Sequence, residues 1–322
     1  MKKLFTKLLD CFFLSRPMLW IPVWGFSIFG YLRGIHQYQP SFQSLPSSIT
    51  DKPTIFLWMI VFSCAVGAVY ILNQWADIEV DKKNSGLPLL ARGIVTKRDA
   101  LISTIVLSLI ALIVPLRTHP VLSILGSASI ILGLLYSFKP TYFSGRPFGD
   151  FIANAIGYGF IAFGAGWHLS GSPLMIGLFA SAALPYFFLM CAGSISSTLP
   201  DYDADKACGK NTTAVFLGIQ KAHLLAMIFL IVSLIVSIIN NDFICGISAG
   251  VALPFYYAYL IKKSVTTMEA MYKVGGGISM IFAAIFFWIF IPAGVLMLAV
   301  TWLYFRIRHG VAYPSLKPIN IN

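Results

Sequence analysis

The sequence predicts an all-α, polytopic membrane protein, a bundle of about nine transmembrane helices with ten possible. Three observations carry this reading. Of the 322 residues, 58% are hydrophobic and 11% are charged, whereas soluble domains run at about 45–50% apolar and about 25% charged. The apolar residues fall in continuous runs of the length a helix needs to cross a bilayer, roughly 17–25 residues. These runs do not alternate, as the strands of a transmembrane barrel would. The five cysteines share no ligand spacing, which argues against a disulfide scaffold or a zinc cage and for free thiols.

Taken in order, residues 1–15 begin like a signal peptide, but Lys7 and Asp10 interrupt any apolar core. Leu4, Phe5, Leu8, Leu9, Phe12 and Phe13 recur at helical spacing, so a short amphipathic helix lying at the membrane interface is expected. Spans are expected near 18–36, 54–75, 100–116, 121–138, 149–169, 174–197, 222–240 and 243–262. A last apolar tract, 275–305, is long for one span and short for two, with Pro292 in its middle, and 307–322 reads as a C-terminal tail. The whole chain, 1–322, reads as one membrane-embedded domain.

Lys and Arg set the orientation. With the N-terminus cytosolic, Lys2, Lys3, Lys7, Arg16, Lys82, Lys83, Arg92, Lys97, Arg98, Lys139, Arg146, Lys206, Lys210, Lys221, Lys262, Lys263 and Lys273 fall on the cytosolic side. Arg33, Lys52 and Arg117 fall on the other. The net charge of +11 is therefore a topology signal for a multi-pass protein of the cell inner or plasma membrane, and no nucleic acid is needed as a partner. Arg306, Arg308 and Lys317 fit ten helices better than nine.

Six of the 12 acidic residues lie in two windows of identical spacing, Asp77-Ile-Glu79-Val-Asp81 and Asp201-Tyr-Asp203-Ala-Asp205. The windows terminate the second and sixth spans, so by parity both emerge on one side of the membrane. Residues four apart share a helix face. Asn73, Asp77 and Asp81 thus form one stripe of oxygens, and Asp201 and Asp205 form another. Like charges at this spacing repel, more strongly beside a low-dielectric membrane, and call for a cation. Mg2+ suits them, because it takes carboxylate oxygens, keeps waters and completes its shell with substrate phosphates. With the flanking Lys82, Lys206 and Lys210, the windows read as a diphosphate clamp.

Asn73-Gln-Trp-Ala-Asp77-Ile-Glu-Val-Asp81 resembles the first aspartate-rich motif, NxxxDxxxD, of the UbiA superfamily of intramembrane aromatic prenyltransferases. Asp201-Tyr-Asp-Ala-Asp205-Lys-Ala-Cys-Gly209-Lys210-Asn-Thr resembles the second, DxxxD followed by a Gly-Lys turn. Ser15-Arg16-Pro17 and Tyr136-Ser-Phe-Lys139 are similar to further family features, and the resemblance extends over almost the whole chain. It implies a helical bundle around a cavity open sideways to lipid, with the motifs over its cytosolic mouth. It also implies that Asn73, Asp77, Asp81, Asp201 and Asp205 hold two Mg2+ ions bridging an isoprenyl diphosphate. Lys139 and Arg16 would contact the diphosphate, and Tyr136 would stand near the allylic carbon. The implied reaction is prenyl transfer to a small hydrophobic acceptor, often aromatic, with membrane lipid as the surroundings. Ser197 stands where some relatives have a second-half Asn, and Leu87 where many have an Arg, a contact that Lys82, Lys83 or Arg92 would replace.

Asp150 and Asn154 form another polar pair four apart, at the start of the fifth span. Asn154 is counted among the substrate-binding candidates because amides at this depth are functional candidates, with capping and interhelical bonding the competing roles. The five histidines are scattered, and Gly275-Gly276-Gly277 reads as a flexible helix entry. Two alternatives compete. A CDP-alcohol phosphatidyltransferase would need a DxxDGxxAR arrangement, which is not found after Asp77. A cation-coupled transporter would need acids near the bilayer midplane and broken helices.

Overall fold

The computed structural model describes residues 2–38, 53–83, 88–313 and 317–318, which are almost wholly helical. Helix α1 (Lys2–Leu14) precedes ten long segments. These are α2 (Trp20–Tyr38), α3 (Pro53–Ala76), α4 (Lys97–Ile113), α5 (Pro120–Ser137), α6 (149–169), α7 (Ile176–Thr198), α8 (Ile219–Ile239), α9 (Phe243–Ile261), α10 (Val265–Phe286) and α11 (Phe290–His309). Two two-residue strands, Val311–Ala312 and Lys317–Pro318, pair antiparallel after α11.

Among the described residues, eight helices are long and apolar enough to cross a membrane. Helix α4, 17 residues long, and α6, whose middle is the π-helical stretch Gly157–Ala162, complete the ten. Exposed Ile105, Leu109, Ile131, Ile235 and Leu296 stud the outside of the bundle, which is the surface that lipid rather than water accommodates. The protein is an integral, multi-pass membrane protein.

Among the described residues the long segments number ten, the larger of the two counts that the sequence allowed. The last apolar tract divides at 287–289, between α10 and α11. Pro292 does not break it. It occupies the third position of α11, where the backbone N–H has no helical partner to lose. Helix α10 begins at Val265, well before 275, because the Ser264 hydroxyl accepts from the Thr267 N–H at 3.2 Å and starts the helix. Its first turns are polar and escape a reading based on apolar runs. Gly275-Gly276-Gly277 consequently lies in mid-helix, not at an entry. Helix α11 continues to His309, past the 307 at which a tail was expected, and Leu87 lies outside the described residues.

The centre is a crossing of α2 and α6 made at small residues. A Cβ on Gly30 would lie 1.9 Å from the Phe163 carbonyl oxygen, and one on Gly166 would lie 1.6 Å from that of Ser27. Backbones therefore touch here. The Ser27 hydroxyl donates to the Ala162 carbonyl at 2.9 Å, at the end of the π-helical stretch. Around this crossing, α3 packs on α2, α4 and α5. On the other side α7 packs on α6 and α8, α9 joins α8 to α10, and α10 returns to α2.

A separate cluster closes one end of the bundle. Phe13 and Leu14 of α1, Ile71 of α3, Leu89 and Leu90, Tyr304 and Phe305 of α11, and Tyr313 pack together. The opposite face of α1 leaves Phe5, Leu8 and Phe12 exposed, the amphipathic pattern read from the sequence.

Candidate active site

Both aspartate windows interrupt helices at that same end. Helix α3 stops at Ala76, yet Asp77 N–H still bonds the Asn73 carbonyl at 3.0 Å and Asp81 N–H the Asp77 carbonyl at 2.8 Å. The four-residue rhythm thus survives the turn, and Asn73, Asp77 and Asp81 keep one face. The Asn73 amide also donates to Asp77 Oδ2 at 3.4 Å. Helix α7 gives way to a 3₁₀ turn, Leu199–Asp201, and a short helix, Tyr202–Ala207. Gly209 follows with φ 73°, a left-handed conformation that glycine adopts without a Cβ penalty. It turns the chain so that the Lys210 N–H returns to the Asp205 carbonyl at 2.9 Å.

That turn delivers Lys210 across to the other half. Its ammonium lies 3.2 Å from Asp77 Oδ1, and its charge also reaches Asp81, Asp201 and Asp205. The two distant windows therefore converge on one cation. Burial works against the Lys210 ammonium, but the neighbouring Asp77 and Asp205 carboxylates outweigh it and hold its pKa above the ordinary lysine value. Burial, together with the neighbouring Asp77, pushes the Asp81 carboxyl up to about 6, against the pull of Arg16 and Lys210. Burial penalises the charged form of a carboxyl, which is the larger effect here.

Beneath the windows lies a cavity of about 460 Å3 lined by Arg16, Asn73, Tyr136, Asn154 and Asp201, five of the residues singled out in the sequence. Arg16 stands just before Pro17 in a left-handed conformation, φ 51°, which costs a residue with a Cβ roughly 1–2 kcal/mol. Its Nε is buried and, among the described residues, makes no hydrogen bond. A half-buried guanidinium with a spare donor at a cavity mouth is suited to take an anion. Tyr136 and Asn154 line the cavity together, and the Asn154 amide donates to Ser194 Oγ at 3.0 Å.

Three predicted residues stand apart. Lys82 is exposed and paired with Glu79 at 2.8 Å. Lys206 is exposed with its ammonium over the Tyr202 ring. Lys139 is exposed beyond the end of α5 and does not line the cavity.

Asp150, weighed in the sequence only as part of a pair, proves to be a staple. Its buried carboxylate accepts from the Thr213 N–H at 2.8 Å and from the Thr213 hydroxyl. The adjoining Thr212 hydroxyl donates to Asp205 Oδ2 at 3.3 Å, so the start of α6 fixes the segment carrying Lys210 and steadying Asp205. Thr212, Thr213 and Ser194 were missed in the sequence, although the threonines directly follow the Gly-Lys-Asn run. A threonine's partner sixty residues away has no periodic signal.

The donor set fits Mg2+. Asn73, Asp77, Asp81, Asp201 and Asp205 offer only oxygens, the ligands a hard divalent cation takes. Among the described residues no three His, Cys, Asp or Glu side chains form a closed cage. Mg2+ needs none where waters and phosphate oxygens complete its octahedron.

Comparison with known proteins agrees. Residues 43–274 match the model of the UbiA prenyltransferase family. The chain is 28% identical over 230 residues to a digeranylgeranylglyceryl phosphate synthase of Thermococcus sibiricus, covering 69% of this chain and 74% of that one. A solved UbiA homologue from Archaeoglobus fulgidus superposes with a TM-score of 0.63 at 22% identity, over 91% of this chain and 99% of that one. The same homologue bound to GPP and Mg2+ gives a TM-score of 0.58 at 19% identity, over 92% and 100% of the two chains. The phosphatidyltransferase and transporter alternatives are set aside by this match and by the acids standing at helix ends. The chain belongs to the UbiA prenyltransferase family.

Proposed function

We propose that this protein transfers an isoprenyl group from a prenyl diphosphate to a small hydrophobic acceptor within the membrane, in a Mg2+-dependent reaction, with the site opening to the cytosol. The observation that carries the assignment of the site is the Lys210–Asp77 ion pair, which joins the second motif to the first above the cavity. Asn73, Asp77 and Asp81 would hold one ion, Asp201 and Asp205 the other. Bound there, Mg2+ would neutralise charge building on the departing diphosphate oxygens.

The chain's own groups divide the remaining work. Arg16 and Lys210 bind the diphosphate and orient it at the mouth. Lys82, Lys139 and Lys206, exposed around the same end, draw anions towards it. Tyr136, on the cavity lining beside Asn154, presents its ring at the level where the allylic carbon becomes cationic, and a π face stabilises such charge. Val23, Val66, Leu132 and Met190 line the cavity below and keep water from the reacting carbon.

Purified protein should release diphosphate from labelled geranyl diphosphate in the presence of Mg2+, and EDTA should abolish the release. Asp77→Ala and Asp201→Ala should each lower turnover by about 10²-fold or more, the scale of losing one charge-stabilising group, with circular dichroism and elution volume unchanged. Undiminished turnover in both variants refutes the metal assignment.

A further inference from the structure

The cavity contains a polar feature that neither the diphosphate nor a prenyl chain would use. Tyr70 of α3 and Tyr158 of the π-helical stretch both line it, and their hydroxyl oxygens lie 2.6 Å apart. Tyr70 sits three residues before Asn73 and Tyr158 four after Asn154. At 1.5 Å of rise per residue, both stand about one turn deeper than the amides at the mouth. Among the described residues the two hydroxyls have no other hydrogen-bond partner. Two hydroxyls carry two protons, and one hydrogen bond between them uses one. The second O–H is left facing a chamber walled by Val23, Val66, Leu132 and Met190.

An O–H donor buried against hydrocarbon without an acceptor is costly. A prenyl chain has no oxygen to offer it, and the diphosphate oxygens are engaged a turn above by Arg16 and Lys210. What remains is the second substrate. A turn above, at the mouth, the Asn154 amide is already engaged, donating to Ser194 Oγ at 3.0 Å. The Phe26 ring, 5.4 Å from that of Tyr158, and the π-helical backbone behind it fix where the hydroxyl points. A π-helical insertion is commonly found where a helix serves a site.

Resting on the prenyltransferase reading, we propose that the Tyr70–Tyr158 hydroxyl pair is the acceptor subsite, donating its spare hydrogen bond to a hydroxyl or carbonyl oxygen beside the acceptor's reacting atom. The acceptor is then an oxygen-bearing compound, a phenol or an alcohol, rather than a hydrocarbon, and the pair sets which of its atoms faces the allylic carbon.

The test is the double variant Tyr70→Phe/Tyr158→Phe. It keeps both rings and removes both partners of the hydrogen bond, a change that leaves stability nearly unaltered. Purified protein with Mg2+ is given geranyl diphosphate and, in separate reactions, 4-hydroxybenzoate, phloroglucinol or 1-O-hexadecylglycerol. With whichever is prenylated, the double variant should raise the acceptor KM by about tenfold or more, the scale of one hydrogen bond in a desolvated site. Its Kd for geranyl diphosphate should stay within twofold of the parent. The single variants then identify the donor ring, because the one retaining it should lose less. An acceptor KM unchanged in the double variant overturns the proposal and marks the pair as a water site. So does failure of all three oxygen-bearing compounds while geranyl diphosphate still binds. Failure of geranyl diphosphate to bind at all would instead strike the prenyltransferase reading.

Discussion

At the scale of single residues, Arg16 is the most exacting position in the candidate site. It accepts a left-handed backbone and a buried, unbonded Nε, two unfavourable features that a bound anion would offset. Arg16→Ala should therefore weaken prenyl diphosphate binding by about tenfold or more while leaving the helical content intact, since a charge-assisted pair is stronger than a neutral one. Arg16→Lys should restore only part of the loss, because an ammonium cannot make two parallel bonds to a phosphate. Titration of geranyl diphosphate into the two variants decides it, and equal affinities for Arg and Ala would remove Arg16 from the site. The aspartates and Lys210 were legible in the sequence because their spacing repeats and their charge is rare in so apolar a chain. Asp150 was half legible. Its burial and its hold on Thr213 come from tertiary contact, as does the meeting of Tyr70 and Tyr158, which no periodicity links.

At the scale of elements, what positions the cavity is the contact of α2 with α6. Both helices contribute cavity-lining residues, Val23 from one and Asn154, Tyr158 and Ala162 from the other. Their separation is set by Gly30 and Gly166, where even a methyl group meets a carbonyl oxygen. Gly166→Ala cannot be absorbed by a rotamer change, because the obstruction at 1.6 Å is the Ser27 backbone. Overpacking of this kind costs about 1–3 kcal/mol, and here it also levers α6 away from α2. The variant should melt at lower temperature in detergent and show a raised KM for geranyl diphosphate, whereas Gly177→Ala, on α7 with open space around its Cβ position, should do neither. Helix existence was readable because apolar runs of spanning length admit few alternatives. Helix boundaries were less so. The start of α10 hides in polar turns stabilised by the Ser264 cap and the Glu269–Lys273 pair, and the break at 287–289 contains Phe, Trp and Ile, with no Pro or Gly to announce it.

At the scale of the whole molecule, the even number of long helices among the described residues brings α1 and the C-terminal end of α11 to one end, and the structure ties them there. Asp10 of α1 accepts from Arg308 Nε and Nη2, both at 2.6 Å, and from the Tyr304 hydroxyl at 2.6 Å. Lys7 adds an ion pair with Asp99 at the start of α4, 2.8 Å. This is the end that carries Asp77, Asp81, Asp201, Asp205 and Lys210, and the basic residues of α11 join the basic loops already on that side. Ten helices thus resolve the conflict that Arg306 and Arg308 pose for nine. The opposite end holds Arg33, paired with Asp242 at 3.3 Å, and exposed Arg117. The charge asymmetry is the ground on which the motif end is proposed to face the cytosol, and the consequence can be measured directly. With Cys11 and Cys208 changed to Ser, Lys206→Cys and Arg117→Cys each introduce one exposed thiol, since Cys64, Cys191 and Cys245 are buried. A membrane-impermeant maleimide should label Arg117→Cys in intact cells and Lys206→Cys only in inverted vesicles. The reverse pattern would turn the protein over and take the proposed diphosphate site out of the cytosol. Labelling of both positions from one side would break the ten-helix arrangement itself, because the two residues stand at opposite ends of the spans that connect them.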